Sequence, residues 1–158
     1  MDRTETWHAL RGLIGTWEGT GRGEFPTIDS FEYRELLEII EPQAETLLHY
    51  RQQTWRAAGD EEVASHAETG FISVTEDGDV ELLNVQGADR VEVLRGRPAA
   101  REPFTLELRS VMLAHDERMV RSWRNLHLQG DLLRYEMAMA TTAVPDGAPH
   151  LTARLTRM

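Results

Sequence analysis

The sequence predicts an all-β fold: a ten-stranded antiparallel up-and-down β-barrel with a short N-terminal helix. Three observations carry that reading. Between its glycines and prolines the chain alternates apolar and polar residues with period two, as strands with one buried and one wet face do. Turn-forming residues separate these segments at hairpin spacing. Only one short segment has helical spacing, so no second helix is at hand to cover a sheet, and the sheet must close on itself.

The helix lies near residues 5–13, where Trp7, Leu10 and Ile14 recur at helical spacing ahead of Gly15. Strands follow near 15–24, 30–40, 45–57, 64–75, 79–86, 90–96, 103–113, 119–129, 132–142 and 150–157. The first is glycine-rich, Gly15 to Gly23, and lacks the Lys-Ser/Thr pair of a nucleotide loop; its small residues suit a strand that bends at a barrel wall. Phe31, Tyr33 and Glu35 begin the second alternation. In the third, Leu48, Tyr50, Gln52 and Thr54 share one face against His49, Arg51, Gln53 and Trp55. Glu76-Asp-Gly-Asp79 and Gln129-Gly-Asp131 are hairpin turns. Phe104, Leu106, Leu108 and Ser110 form one face of a later strand, Leu133, Tyr135, Met137 and Met139 that of another, and Leu151, Ala153 and Leu155 close the series. Ten strands enclose more space than side chains readily fill, which predicts an interior cavity and hence a small ligand.

A chain of 158 residues points to a single domain, residues 1–158, and 41% hydrophobic with 28% charged residues is an ordinary globular composition. The absence of cysteine excludes disulfide scaffolds, thiolate metal sites and a cysteine nucleophile. All 17 basic residues are arginine, set against 27 acidic ones for a net charge of −10. Nucleic acid is therefore not an expected partner, because binding it begins with neutralising phosphates, and lysine Schiff-base chemistry is ruled out. Neither a basic, apolar leader nor a run of about 20 apolar residues occurs, so the expected location is the cytoplasm with no membrane contact.

The six histidines, His8, His49, His66, His115, His127 and His150, form no metal pair at short spacing on one face. His8 reads as an exposed helix residue, His115 as a loop residue and His127 as facing solvent. His66 shares a strand face with Glu68 and Gly70, where a satisfied polar residue is the ordinary reading. His150 follows Pro145-Asp-Gly-Ala-Pro149 and opens the last strand at the barrel rim; spacing alone makes it a solvated residue, although a single imidazole can also hold a haem iron from one side. No serine sits in a nucleophile elbow, and the carboxylates read as dispersed along wet strand faces.

Gly15-Thr-Trp-Glu-Gly-Thr-Gly21 matches the GxWxGxG signature of the nitrobindins, and the match continues through Gly23-Glu-Phe-Pro-Thr-Ile-Asp-Ser-Phe-Glu-Tyr-Arg-Glu35. Gln53-Thr-Trp55, His66-Ala-Glu-Thr-Gly-Phe71, Gly130-Asp-Leu-Leu-Arg-Tyr135, Met139-Ala140 and Pro149-His-Leu-Thr-Ala-Arg-Leu155 follow in order, so the chain resembles that family over nearly its whole length. The resemblance implies a barrel shaped like the fatty-acid-binding proteins that holds haem b in a shallow, partly open pocket. It implies His150 as the axial iron ligand, Thr27 as a haem-contacting residue, and His66 and Gln86 as pocket-lining residues. It further implies that ferric haem isomerises peroxynitrite to nitrate and binds nitric oxide, with no protein residue needed as acid or base. A homodimer is compatible with it. Two segments depart from the family's pattern: the loop Val144 to Pro149 is about one residue longer, and Val111 to Met119 differs around a basic pocket residue.

Two other classes of function fit the same barrel: a non-catalytic carrier of a lipid or other small apolar ligand, and an interaction module with an empty or collapsed lumen. His150 separates them from the haem reading, since an apolar carrier has no use for an imidazole beside its pocket mouth.

Overall fold

Asp2 starts the first element. Its carboxylate accepts from the Glu5 amide at 2.8 Å while the Glu5 side chain accepts from the Asp2 amide at 3.0 Å, a reciprocal cap. Helix α1 therefore begins at Arg3 rather than near residue 5; it spans Arg3–Leu10 and ends in one 3-10 turn, Arg11–Leu13. The computed structural model describes residues 1–43, 46–87 and 89–158. Among these, the strands are β1 (Gly15–Phe25), β2 (Ile28–Ile40), β3 (Leu47–Ala58), β4 (Glu61–Val74), β5 (Val80–Gln86), β6 (Val91–Gly96), β7 (Pro98–Arg101), β8 (Phe104–Ala114), β9 (Met119–Gln129), β10 (Leu132–Thr141) and β11 (Ala148–Arg157). Among the described residues no helix is long and apolar enough to cross a membrane.

Apart from β6 and β7, neighbours in sequence pair antiparallel, β1 pairs with β11, and β6 pairs with β8, so the sheet closes into a barrel. The short β7, absent from the sequence reading, lies with β6 along the same partner: β6 takes Arg109 to Ala114 of β8, and β7 takes Phe104 to Leu106. Counted as one wall they make the expected ten-stranded barrel. The β8–β9 pairing runs from Phe104–Leu128 to Arg109–Trp123. Beyond it β8 turns to β6, and β9 follows β10.

The two ends differ. At one, Leu10 and Leu13 are fully buried, the Trp17 indole donates to the Leu13 carbonyl at 2.9 Å, and the Arg157 guanidinium lies 4.2 Å over the Trp17 ring while donating to Gly12 O. The helix thus closes that end. The other carries the β1–β2, β3–β4, β5–β6, β8–β9 and β10–β11 turns and is the mouth.

The glycines of β1 serve cross-strand packing as well as bending. A Cβ on Gly21 would stand 2.2 Å from the Tyr33 ring and one on Gly23 would stand 2.1 Å from the Phe31 ring, so both make room for aromatic rings on β2. Gly70 is more constrained, because a Cβ there would lie 1.9 Å from the Leu83 carbonyl oxygen, a backbone atom that cannot swing aside. Gly70→Ala is expected to cost roughly 2 kcal/mol, read in thermal unfolding as a fall of about 4–8 °C.

The lumen is largely filled. A cavity of about 70 Å³ remains, lined on one side by leucines such as Leu10, Leu37 and Leu106 and on the other by Glu35, Gln52, Arg124 and Tyr135. Ligand pockets typically run to about 300–1,000 Å³, so the expected cavity is present but far too small for a lipid chain. Glu35, fully buried, accepts from Gln52 Nε2 at 2.7 Å and from the Tyr135 hydroxyl, which also meets Tyr33 Oη at 2.9 Å. Burial pushes the Glu35 carboxyl from its ordinary 4.5 up to about 7, against the opposing hydrogen bonds from Tyr135 and Gln52. Folding therefore favours the protonated acid: its stabilisation is complete below the unfolded value and is lost as pH rises through about 7. Glu35→Gln, neutral throughout, is expected to leave stability nearly unchanged near pH 4.5 and to exceed wild type by roughly 2 kcal/mol at pH 8. Denaturant titrations at the two pH values check this, and equal stability at pH 8 would refute it.

Candidate functional site

The strand parity that buries Tyr50 and Gln52 on β3 also buries Glu68 on β4, Asn84 and Gln86 on β5, Glu92 on β6, and Ser122 and Arg124 on β9. The expectation that the carboxylates line wet faces is thus overturned for Glu35, Glu68 and Glu92, which are 0, 5 and 1% exposed. Arg124 is the reason for two of them. Its guanidinium donates to Glu68 Oε1 at 2.6 Å and to Glu92 Oε2 at 3.1 Å, so each buried charge has an opposite charge in contact. Burial opposes ionisation of Glu68, but the Arg124 charge and the hydrogen bonds from His66 and Arg124 outweigh it and hold the carboxyl down at about 2. Glu68 also accepts from Tyr50 Oη at 3.0 Å, and Glu92 accepts from Ser122 Oγ at 2.9 Å.

Two of the expected pocket residues join this network. His66, inward-facing and half-buried, has Nε2 3.4 Å from Glu68 Oε2. Gln86, buried and opposite Glu68 in the β4–β5 register, donates from Nε2 to Glu92 Oε2 at 3.1 Å. The structure therefore brings His66 and Gln86 onto one wall through two carboxylates that the sequence reading passed over. A signal was available: Arg124 shares strand parity with Leu126 and Leu128, an inward position by the same alternation that marks the core.

His150 stands elsewhere on the mouth, and its local backbone is unusual. Met137 of β10 opposes Leu151 while Ala138 opposes Pro149, so His150 is the extra residue of a β-bulge. A bulge re-aims the side chain it carries. Here the imidazole meets the Phe25 ring edge-on at 5.9 Å between centroids, and Nδ1 lies 3.1 Å from the Glu24 carbonyl oxygen. A carbonyl only accepts, so the proton is on Nδ1 and the Nε2 lone pair is free. Burial lowers the His150 pKa, and although the Glu24 carbonyl opposes that, the charges of Arg90 and His66 push the same way. The ring is therefore neutral at neutral pH. Neutral, oriented by a backbone acceptor and unprotonated at Nε2, it has the form in which histidine ligates a metal.

Thr27 is the second residue of the tight β1–β2 turn and is exposed, three residues after the carbonyl that orients His150. The remaining histidines lie apart from this site. His8 is exposed on α1 and His115 has positive φ in the β8–β9 turn, as expected. His127 points outward but is half-buried with Nδ1 enclosed, not freely solvated. At the same mouth Arg90, at the end of the β5–β6 turn, donates to Asp116 Oδ2 at 2.8 Å and so ties that turn to the β8–β9 turn.

With this geometry in place, similarity to known proteins is informative. The family described as THAP4-like, heme-binding beta-barrel domain matches residues 6–157. "Peroxynitrite isomerase Rv2717c" of Arabidopsis thaliana is 32% identical over 149 residues, covering 94% of this chain and 87% of that protein. "Peroxynitrite isomerase 2" of Mycobacterium ulcerans (strain Agy99) is 34% identical over 154 residues, covering 94% and 92%. The crystal structure of Rv2717c from M. tuberculosis superposes with a TM-score of 0.86 at 32% identity, covering 97% of each chain. An S-type phycobiliprotein lyase, CPES from Guillardia theta, superposes at 0.63 with 14% identity and shares the fold alone. The closed barrel, the collinear motifs and these matches agree: the chain belongs to the THAP4-like heme-binding β-barrel family, the nitrobindins.

Proposed function

We propose that this barrel binds haem b at its mouth through His150 Nε2, isomerises peroxynitrite to nitrate and binds nitric oxide, with residues 1–158 acting as one unit. The observation that carries the reading is the state of His150: a neutral imidazole, re-aimed by a bulge and held through Nδ1 by the Glu24 carbonyl. The printed names of the relatives support the reaction. Ferric haem, when bound, would supply a Lewis-acidic, one-electron centre for the reaction of peroxynitrite.

The protein's share is placement. Glu24 fixes which His150 nitrogen is available, and Phe25 packs an apolar edge against that ring. His66 and Gln86 form a wall whose side chains are held by Glu68 and Glu92. Thr27 offers a hydroxyl in the adjoining turn. The carrier reading loses support from the interior, since a cavity of about 70 Å³ has no room for an acyl chain.

The test is hemin titration of wild type and His150→Ala. Wild type should give a Soret band with imidazole-ligated ferric and nitric-oxide spectra and should speed nitrate formation from peroxynitrite. His150→Ala should lose the imidazole signature and the rate enhancement while remaining folded, at a stability cost of about 1 kcal/mol. Identical spectra and rates in the two proteins would remove His150 as ligand. Thr27→Val should weaken hemin binding by roughly 1 kcal/mol, one hydrogen bond; unchanged affinity with lower thermal stability would make Thr27 a turn residue only.

A further inference from the structure

Glu68 is more heavily committed than a core carboxylate needs to be. Arg124 Nη1 and Tyr50 Oη reach its Oε1 at 2.6 and 3.0 Å, Arg124 Nη2 reaches Oε2 at 3.3 Å, and the same Oε2 lies 3.4 Å from His66 Nε2. Three of these four contacts come from the buried Arg124 and Tyr50; only His66 reaches toward solvent, with about a third of its side chain exposed. Arg124 is tied in turn to Glu92, so the Glu68 carboxylate cannot rotate without breaking contacts on both sides. The outcome is a chain of fixed groups running from the middle of the lumen to one half-exposed imidazole at the mouth.

We propose that Glu68 is a positioning residue: fixed by Arg124 and Tyr50, it holds His66 through Nε2 and so presents the opposite ring nitrogen to the mouth as a hydrogen-bonding group for a small anion. This rests on the haem reading and deepens it by giving the His66 wall a task. An ionised Glu68 accepts hydrogen bonds and donates none, which assigns a proton to His66 Nε2. Nδ1 is then the nitrogen left for the pocket; on the neutral ring it carries only a lone pair, so the anion is held together with a second proton that Nδ1 takes up and donates to it. The arrangement parallels the way a second-layer carboxylate orients an active histidine elsewhere in protein chemistry. The groups facing His66 are Glu68 on its own strand and, through their charges, Glu35 and His150.

Two measurements test it. The first uses the full chain without haem: nitrogen-15 NMR of the histidine rings at pH 8, in wild type and Glu68→Gln. Wild-type His66 should populate the Nε2–H tautomer almost alone, and Glu68→Gln, whose amide can present either an oxygen or an N–H, should give a mixture. Glu68→Gln leaves Arg124 paired with Glu92, and a thermal scan confirms that the variant is folded; if it is not, Tyr50→Phe, which removes one support of Glu68, takes its place with the same expected direction. A wild-type ring that populates both tautomers, or a variant with the wild-type population, overturns the proposal.

The second uses the ferric haem-loaded protein with fluoride, a small anion whose affinity responds to a nearby hydrogen-bonding group. His66→Asn and Glu68→Gln should each weaken fluoride binding about tenfold, and the double variant should be no weaker than His66→Asn alone, since a residue that acts through another adds nothing once that residue is gone. Additive losses, or no loss from Glu68→Gln, would make Glu68 a structural residue and overturn the proposal. Failure of the wild type to bind hemin would overturn the haem reading, and the tautomer measurement would still decide whether Glu68 positions His66.

Discussion

The Arg124 guanidinium is buried inside the barrel, and much of the molecule is arranged around it. It reaches Glu68 on β4 and Glu92 on β6 from β9, spanning the lumen between strands that do not pair with β9. Removing one partner of a buried ion pair typically costs about 3–5 kcal/mol, because the remaining charge is left in a poorly polarisable interior. That cost makes the three side chains interdependent. It also keeps Tyr50, Gln86, Ser122 and His66 in one hydrogen-bonded set, since each bonds to a carboxylate whose position Arg124 determines.

The mouth is built by different means. His150 owes its orientation to backbone geometry: a one-residue bulge against β10 and a carbonyl on β1. Such a device is insensitive to side-chain repacking, because both the bulge and the Glu24 carbonyl belong to hydrogen-bonded strands. The His66 wall depends on charged side chains in the lumen. One imidazole is thus fixed by the main chain and the other by an ion-pair network, so a change in the interior can alter one wall while leaving the other in place.

Much of the fold was legible in the sequence because period-two alternation is a property of every strand, and Leu48, Tyr50, Gln52 and Thr54 fall inside as their parity requires. What alternation does not carry is the identity of inward polar residues. Glu68, Glu92 and Arg124 occupy inward positions by parity, yet composition alone favours water for such side chains, and only the three-dimensional closeness of β4, β6 and β9 supplies the compensating charges. The bulge at His150 was likewise invisible, since a bulge is a relation between two strands. The short β7 escaped for a related reason: Pro98–Arg101 has too few residues to show a period. His150, His66, Gln86 and Thr27 were reached through resemblance, and their spacing alone did not distinguish them from solvated residues.

The packing of the lumen bears on where a flat, rigid macrocycle could sit. Fatty-acid carriers of similar shape need a long interior channel, and here leucines, tyrosines and the ion network leave about 70 Å³. The proposed haem site accordingly places the large apolar face at the mouth, beside His150, Phe25, His66 and Thr27, rather than inside the barrel. A filled interior is also what gives that mouth a rigid floor: the buried charges that exclude a lipid are those that hold the His66 wall. The same ring of strands can therefore serve as a container or as a pedestal, and the inward charges on β4, β6 and β9 are what the proposed site uses as its floor.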